Sequence, residues 1–181
     1  MRKRKKVMYA VGGLIAAVVL LTVAWMVMET GIEVTSHADF CGTCHAMEPM
    51  VASYHDSIHG GNNPWGIKAA CTDCHTSHEN VVTFYFSKAR SGTHDIWVTV
   101  FTDELGRDWQ AKREQRDEFV YDSGCLTCHQ NLKAVDAGKG VHAKYFAGLI
   151  DAQCVDCHPG VGHEGLNHYL VANKYRYYDG P

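Results

Sequence analysis

The stretch Cys41-Gly42-Thr43-Cys44-His45-Ala46-Met47 decides how this chain is read. Two cysteines stand three positions apart, a histidine follows the second, and a methionine lies two residues beyond it. The C-x-x-C-H pattern recurs as Cys71 and Cys74 with His75, Cys125 and Cys128 with His129, and Cys154 and Cys157 with His158. Random placement of this composition would yield about 0.02 copies, against the four present, and all eight cysteines are used. C-x-x-C-H attaches haem c: the thiols add across the two vinyl groups and the adjacent histidine is placed to ligate the iron. Paired C-x-x-C motifs also build zinc ribbons, but a ribbon has no need of a histidine after every second cysteine. The reading is therefore four covalently bound haems c.

Working outward, the 181 residues fit one membrane span and one small domain. Val7 to Met28 is an uncharged run of 22 residues, long enough to cross a bilayer as a helix. Arg2, Lys3, Arg4, Lys5 and Lys6 precede it and no basic cluster follows, which places residues 1–6 in the cytoplasm. Residues 29–181 then face the periplasm of a bacterial inner membrane, the side on which haem c is attached. The run exceeds a signal-peptide core and ends in Trp25-Met26-Val27-Met28-Glu29 rather than small residues, so a retained anchor is expected. Outside the basic head, 12 basic residues meet 20 acidic ones, which argues against nucleic acid as a partner. Long apolar runs are too few to fill a core, so the expected fold is mainly α, with haems supplying apolar volume and little regular core.

The haem domain carries an internal repeat. Cys41 to Cys71 spans 30 residues and Cys125 to Cys154 spans 29, which suggests two di-haem halves, about 37–80 and 121–165. His59 lies twelve residues before Cys71 and His142 twelve before Cys154. Each half also has a histidine just after its second motif, His78 and His163. A low-spin haem takes a second axial ligand, and His59, His142 and His163 are the candidates, exchanged between halves so as to lock them together. His55, one helical turn from His59, is a possible bystander. His37, His168 and His78 are read as ordinary solvated or hydrogen-bonded side chains.

Glu79 to Val120 joins the halves. Two apolar aromatic patches, Val81 to Phe86 and Ile96 to Phe101, flank a charged loop holding Lys88, Arg90, His94 and Asp95. Either two core helices or two short helices at the membrane interface would satisfy this pattern. Trp109 to Val120 is dense in charge and reads as an exposed helix. The tail from Tyr169 to Pro181 has no clear periodicity.

These features together resemble the NapC/NrfH family of membrane-anchored tetrahaem quinol dehydrogenases, and most of all its NrfH branch. The matching elements are the single anchor, C-G-T-C-H-A-M at the first haem, S-I-H before the second, C-H-x-x-H at the second, S-K-A-R-x-G with a following Asp, and C-H-P-G-V-G-H at the fourth. The resemblance implies that Met47 rather than His45 ligates the first iron and that menaquinol binds at its open face near Lys88 and Asp95. It implies His59 on the fourth haem and His163 on the third; His142 is then expected on the second, and His78, by its place in the repeat, toward the first. Asp95 would accept a quinol proton, Lys88 would orient the quinol oxygen, and His94 is a third candidate. A helix-capping role for Asp95 is the plain alternative. The resemblance implies as partner, in an oligomeric complex, the periplasmic pentahaem ammonia-forming nitrite reductase. A NapC-like or CymA-like donor to other reductases and a passive electron wire are the alternatives.

Overall fold

The computed structural model describes residues 2–102, 107–135 and 140–177, and all of its regular structure is helical. Residues 103–106 of the linking segment and 178–181 of the tail lie outside the described residues. Helix α1 runs Arg2–Val34, so the expected 22-residue span is the middle of a longer helix that takes in the basic head and the polar exit. Its apolar side chains are exposed along its length, as a bilayer-facing helix requires.

Short helices carry the haem motifs. After α2 (Ala38–Cys41), a 3₁₀ turn His45–Met47 leads into α3 (Glu48–Asp56). The second motif forms α4 (Cys71–His75). Three-residue spacing on a helix puts both thiols of the motif on one face. The Asp73 carboxylate accepts from the Ala70 amide at 2.8 Å and so caps the helix start. Asp156 does the same for Gln153 in the fourth motif, at 2.6 Å. A C-x-D-C sequence thus carries its own cap.

Helix α5 (Val81–Phe101) corrects an expectation. Rather than two helices around a charged loop, residues 81–101 are one continuous helix. Ser87 to Thr93 contains no proline and a single glycine, so nothing in it stops helix propagation. Asn80 Oδ1 accepts from the Thr83 amide at 3.0 Å and Thr83 Oγ1 accepts from the Asn80 amide at 3.2 Å, a capping box at its start. The apolar patches are not core. Val82, Phe86, Ile96, Trp97 and Val100 fall on one helical face and are exposed.

The charged segment gives α6 (Trp109–Glu114) and a 3₁₀ turn Arg116–Glu118, largely exposed as expected. Then come α7 (Asp122–Cys128), α8 (Leu132–Val135), α9 (Val141–Phe146), α10 (Cys154–Cys157) and α11 (Leu166–Tyr177). The unassigned tail is therefore helical as far as Tyr177. It packs on α3, where Tyr169 Oη donates to the Asp56 carboxylate and Asn173 Nδ2 to Glu48 Oε2 at 3.4 Å.

Among the described residues the buried apolar side chains are only Ala38, Pro49, Tyr54, Val155 and Leu166, outnumbered by buried Ser36, Ser53, Ser57, Thr76, Ser77 and Ser87. A side-chain core of this size cannot hold a domain, as the sequence implied. Close backbone approach does part of the work. A Cβ on Gly124 of α7 would lie 1.9 Å from the Asp73 carbonyl oxygen of α4. Gly124→Ala is accordingly expected to push these helices apart and cost about 1–3 kcal/mol. Gly160→Ala, with open space around it, is the control. Thermal unfolding followed by haem absorbance should show a lower midpoint for the first variant only; equal midpoints would refute the close approach.

Candidate functional site

The four motifs touch in chain order. The Cys41 and Cys71 sulfurs are neighbours. The Cys71 amide donates to the Ser36 carbonyl at 3.0 Å. The second motif meets the third through Tyr121 N to Cys74 O at 3.0 Å and His75 Nδ1 to Phe119 O at 2.8 Å. Between the third and fourth, the Cys125 and Cys154 sulfurs are neighbours, and Asp122 Oδ1 accepts from the Cys154 amide at 2.9 Å. Four attachment points therefore form a continuous line.

Three motif histidines each face a second imidazole. Ring centres are 6.3 Å apart for His75 and His163, 6.1 Å for His59 and His129, and 6.4 Å for His142 and His158. A metal–imidazole bond of about 2 Å sets the ring centre about 3 Å from the metal, so two imidazoles on opposite sides of one ion lie about 6 Å apart. The spacing fits an iron between each pair. Hydrogen bonds fix which nitrogen is offered. His75 Nδ1 donates to a carbonyl, and His163 Nδ1 sits 3.1 Å from both Met50 O and Ser53 Oγ, leaving Nε2 as the metal-binding atom in each. Burial, then the neighbouring His75, pushes His163 down to about 4, which keeps it in the neutral form that binds metal. His59 is lowered for the same reasons, burial first and His129 second. The residues present thus fit bis-imidazole haem. No group of three or more His, Cys, Asp or Glu among the described residues is arranged to hold a single ion, so the zinc-ribbon arrangement is not formed.

This pairing corrects the expected one. His163 faces the second motif rather than the third, His59 the third rather than the fourth, and His142 the fourth rather than the second. His59 and His163 still cross between halves, but His142 stays in its own. The cause is Asp122, which accepts from both Tyr145 Oη and the Cys154 amide. His142, three residues before Tyr145 on α9, is thereby carried onto the fourth motif. Nor does His78 turn to the first motif: its Nε2 lies 3.2 Å from Thr72 O and its ring packs edge-on against Phe84. His55 lies against Tyr54, His168 against Tyr169, and His37 pairs with Glu33 at 3.0 Å. Helix α3 ends at Asp56, so His55 and His59 do not share a helical turn.

At the first motif, His45 Nδ1 is 3.1 Å from Glu48 Oε1, with the ring largely exposed. Met47 is half-buried on the turn into α3.

Lys88 and Asp95 are seven residues apart on α5, hence on one face. That face is tied to the end of α1: Tyr85 Oη donates to Glu29 Oε1 at 2.7 Å, and Lys88 Nζ to Ser36 Oγ at 2.9 Å and Thr35 O at 3.3 Å. Lys88 and Asp95 both act on the Cys41 thiol, with opposite sign, so both stand beside the first motif. Burial lowers the Lys88 pKa, partly offset by Cys41, Cys71 and Glu33. Asp95 is exposed, with Oδ1 3.3 Å from His94 Nδ1, and it sits inside a continuous helix, so it caps nothing. Ser36, Tyr85 and Glu29 were not among the sequence-derived residues, since nothing in their spacing marks them.

Residues 3–168 match the NapC/NirT cytochrome c family, N-terminal region. TorC of Escherichia coli is 27% identical over 176 residues, covering 90% of this chain and 44% of TorC, so the chain spans less than half of that relative. NapC of Escherichia coli is 33% identical over 155 residues, 78% of this chain and 76% of NapC. A putative tetraheme cytochrome-c type protein of Allochromatium vinosum is 29% identical over 149 residues, 77% of this chain and 79% of that protein. In the crystal structure of the cytochrome c nitrite reductase NrfHA complex bound to the HQNO inhibitor, one chain superposes with a TM-score of 0.54 at 26% identity, covering 83% of this chain and 89% of that one. With all but two residues at one end and thirteen at the other inside the family match, the chain belongs to the NapC/NirT cytochrome c family and carries covalent haem c.

Proposed function

We propose that the chain is a tetrahaem menaquinol dehydrogenase that delivers electrons to a periplasmic multihaem reductase. The observation that carries this reading is the α5 face bearing Lys88 and Asp95, fastened to the exit of the anchor beside the first haem motif. A lipid-borne donor reaches the protein at that height. Residues 1–6 lie in the cytoplasm, 7–28 cross the inner membrane, and 29–181 form the periplasmic domain. The exposed apolar face of α5 rests in the membrane interface.

Haem c, when attached, supplies one-electron redox chemistry at its iron. Met47 would hold the first iron, and His75 with His163, His129 with His59, and His158 with His142 would hold the other three. Lys88 binds a quinol oxygen through its ammonium group. Asp95 takes a quinol proton at its carboxylate, and His94 Nδ1, 3.3 Å away, relays it to water.

The likeness to the NrfHA complex supports a pentahaem nitrite reductase as partner, with the complex oligomeric. A NapC-like role is the second reading, favoured by 33% identity to NapC against 26% to the chain of the NrfHA complex. Capture of the tagged protein from native membranes, with the co-purified reductase identified by mass spectrometry, separates the two.

Asp95→Asn is expected to lower reduction of the purified protein by a menaquinol analogue by about 100-fold or more with haem content unchanged. Wild-type turnover would remove Asp95 from the mechanism. For the ligands, the low-spin EPR signal lost in His142→Ala should be the one that shifts in His158→Met. The signal lost in His163→Ala should likewise shift in His75→Met. A signal shared by the His142 and His75 variants would restore the pairing expected from the sequence.

A further inference from the structure

We propose that Ser36 is the residue that positions Lys88 to receive an oxygen acceptor. The inference rests on the quinol reading of this face and adds to it the group that aims the cation. Ser36 is buried at 6% exposure, just past the end of α1. Its hydroxyl donates to Ile32 O at 2.5 Å. With its one hydrogen committed to the helix end, Oγ turns a lone pair outward, and Lys88 Nζ donates to it at 2.9 Å. Thr35 O takes a second ammonium hydrogen at 3.3 Å. Both acceptors are neutral, and no carboxylate among the described residues forms an ion pair with Lys88.

An ammonium group has three donors. Two are used in anchoring it to the span, and the third, with an undiminished positive charge, remains for a ligand oxygen. That arrangement suits a phenolic, carbonyl or N-oxide oxygen on a lipophilic ring. It holds a flexible four-carbon stem in one place before the ligand arrives, so less conformational entropy is lost on binding. Burial lowers the Lys88 pKa, and hydrogen bonds to two oxygens favour the charged form against that.

The backbone of Ser36 has separate duties. Its amide donates to Glu33 O at 3.0 Å and its carbonyl accepts from the Cys71 amide at 3.0 Å. Removing only the hydroxyl leaves those ties in place, so the side chain is testable.

The test uses the detergent-solubilised, fully haem-loaded protein and HQNO, a quinoline N-oxide, with binding followed by fluorescence titration and turnover by a menaquinol analogue. Ser36→Ala is expected to weaken HQNO about tenfold and to raise KM more than it lowers kcat, with haem content unchanged. Ser36→Thr keeps the acceptor and should bind HQNO within about twofold of wild type. In a Lys88→Met background, Ser36→Ala should add nothing, since it acts through Lys88. The proposal is overturned by wild-type HQNO affinity in Ser36→Ala, by additive effects of the two changes, or by failure of Ser36→Ala to mature its haems. Wild-type HQNO affinity in Lys88→Met overturns the quinol reading of this face itself, whereas a loss there without one in Ser36→Ala overturns the role of Ser36 alone.

Discussion

The structure depends on a shortage: the domain has almost nothing apolar of its own to bury. Ala38, Pro49, Tyr54, Val155 and Leu166 are the described apolar side chains that lose contact with water. Cohesion must then come from covalently attached macrocycles, each fixed by two thioethers, and from polar ties such as Asp122 to the Cys154 amide. Four motifs packed in series, the last three on short helices, are the outcome of that economy. Because each motif leans directly on the next, the scaffold that keeps the domain folded would, on the proposed function, also be the conductor. Removing one attachment site would therefore weaken both together.

The donor end is built differently. It uses a long helix, one hydroxyl cluster and a few charged groups at the point where α1 leaves the lipid. Tyr85 and Lys88 reach from α5 to Glu29, Thr35 and Ser36, while Asp95 and His94 lie one to two turns farther along, open to water. On the proposed function, a fastened cation and an exposed carboxylate on one helical face would separate two tasks, holding an oxygen and releasing a proton.

Much of this was legible in the sequence because covalent chemistry dictates spacing. C-x-x-C-H needs both thiols on one turn and a histidine beside them, so the attachment sites and the all-helical, core-poor fold follow from pattern alone. The uncharged run Val7 to Met28 announced α1 for the same kind of reason. The histidine partners were harder. His59, His142 and His163 stood out by repeat, but the haem each faces was taken from the resemblance for His59 and His163 and from the repeat for His142, and neither carries a record of Asp122 gathering Tyr145 and Cys154. The break expected within α5 was wrong because charge in mid-segment was read as a turn, although helix propagation depends on backbone and side-chain freedom rather than on polarity. Ser36 was invisible: one serine among others acquires meaning only through what surrounds it.

Helix α1 does not stop where its apolar run stops. The helix carries on through Val34, and its final turns are where Tyr85, Lys88 and the second motif are fastened. The span and the domain are thus welded, with no slack tether between them. A thinner bilayer makes a long span lean over, and a welded domain must lean with it. On the proposed function, membrane thickness would in this way set the height and attitude of the electron entry point above the lipid, giving the surrounding lipids a mechanical hold on electron delivery.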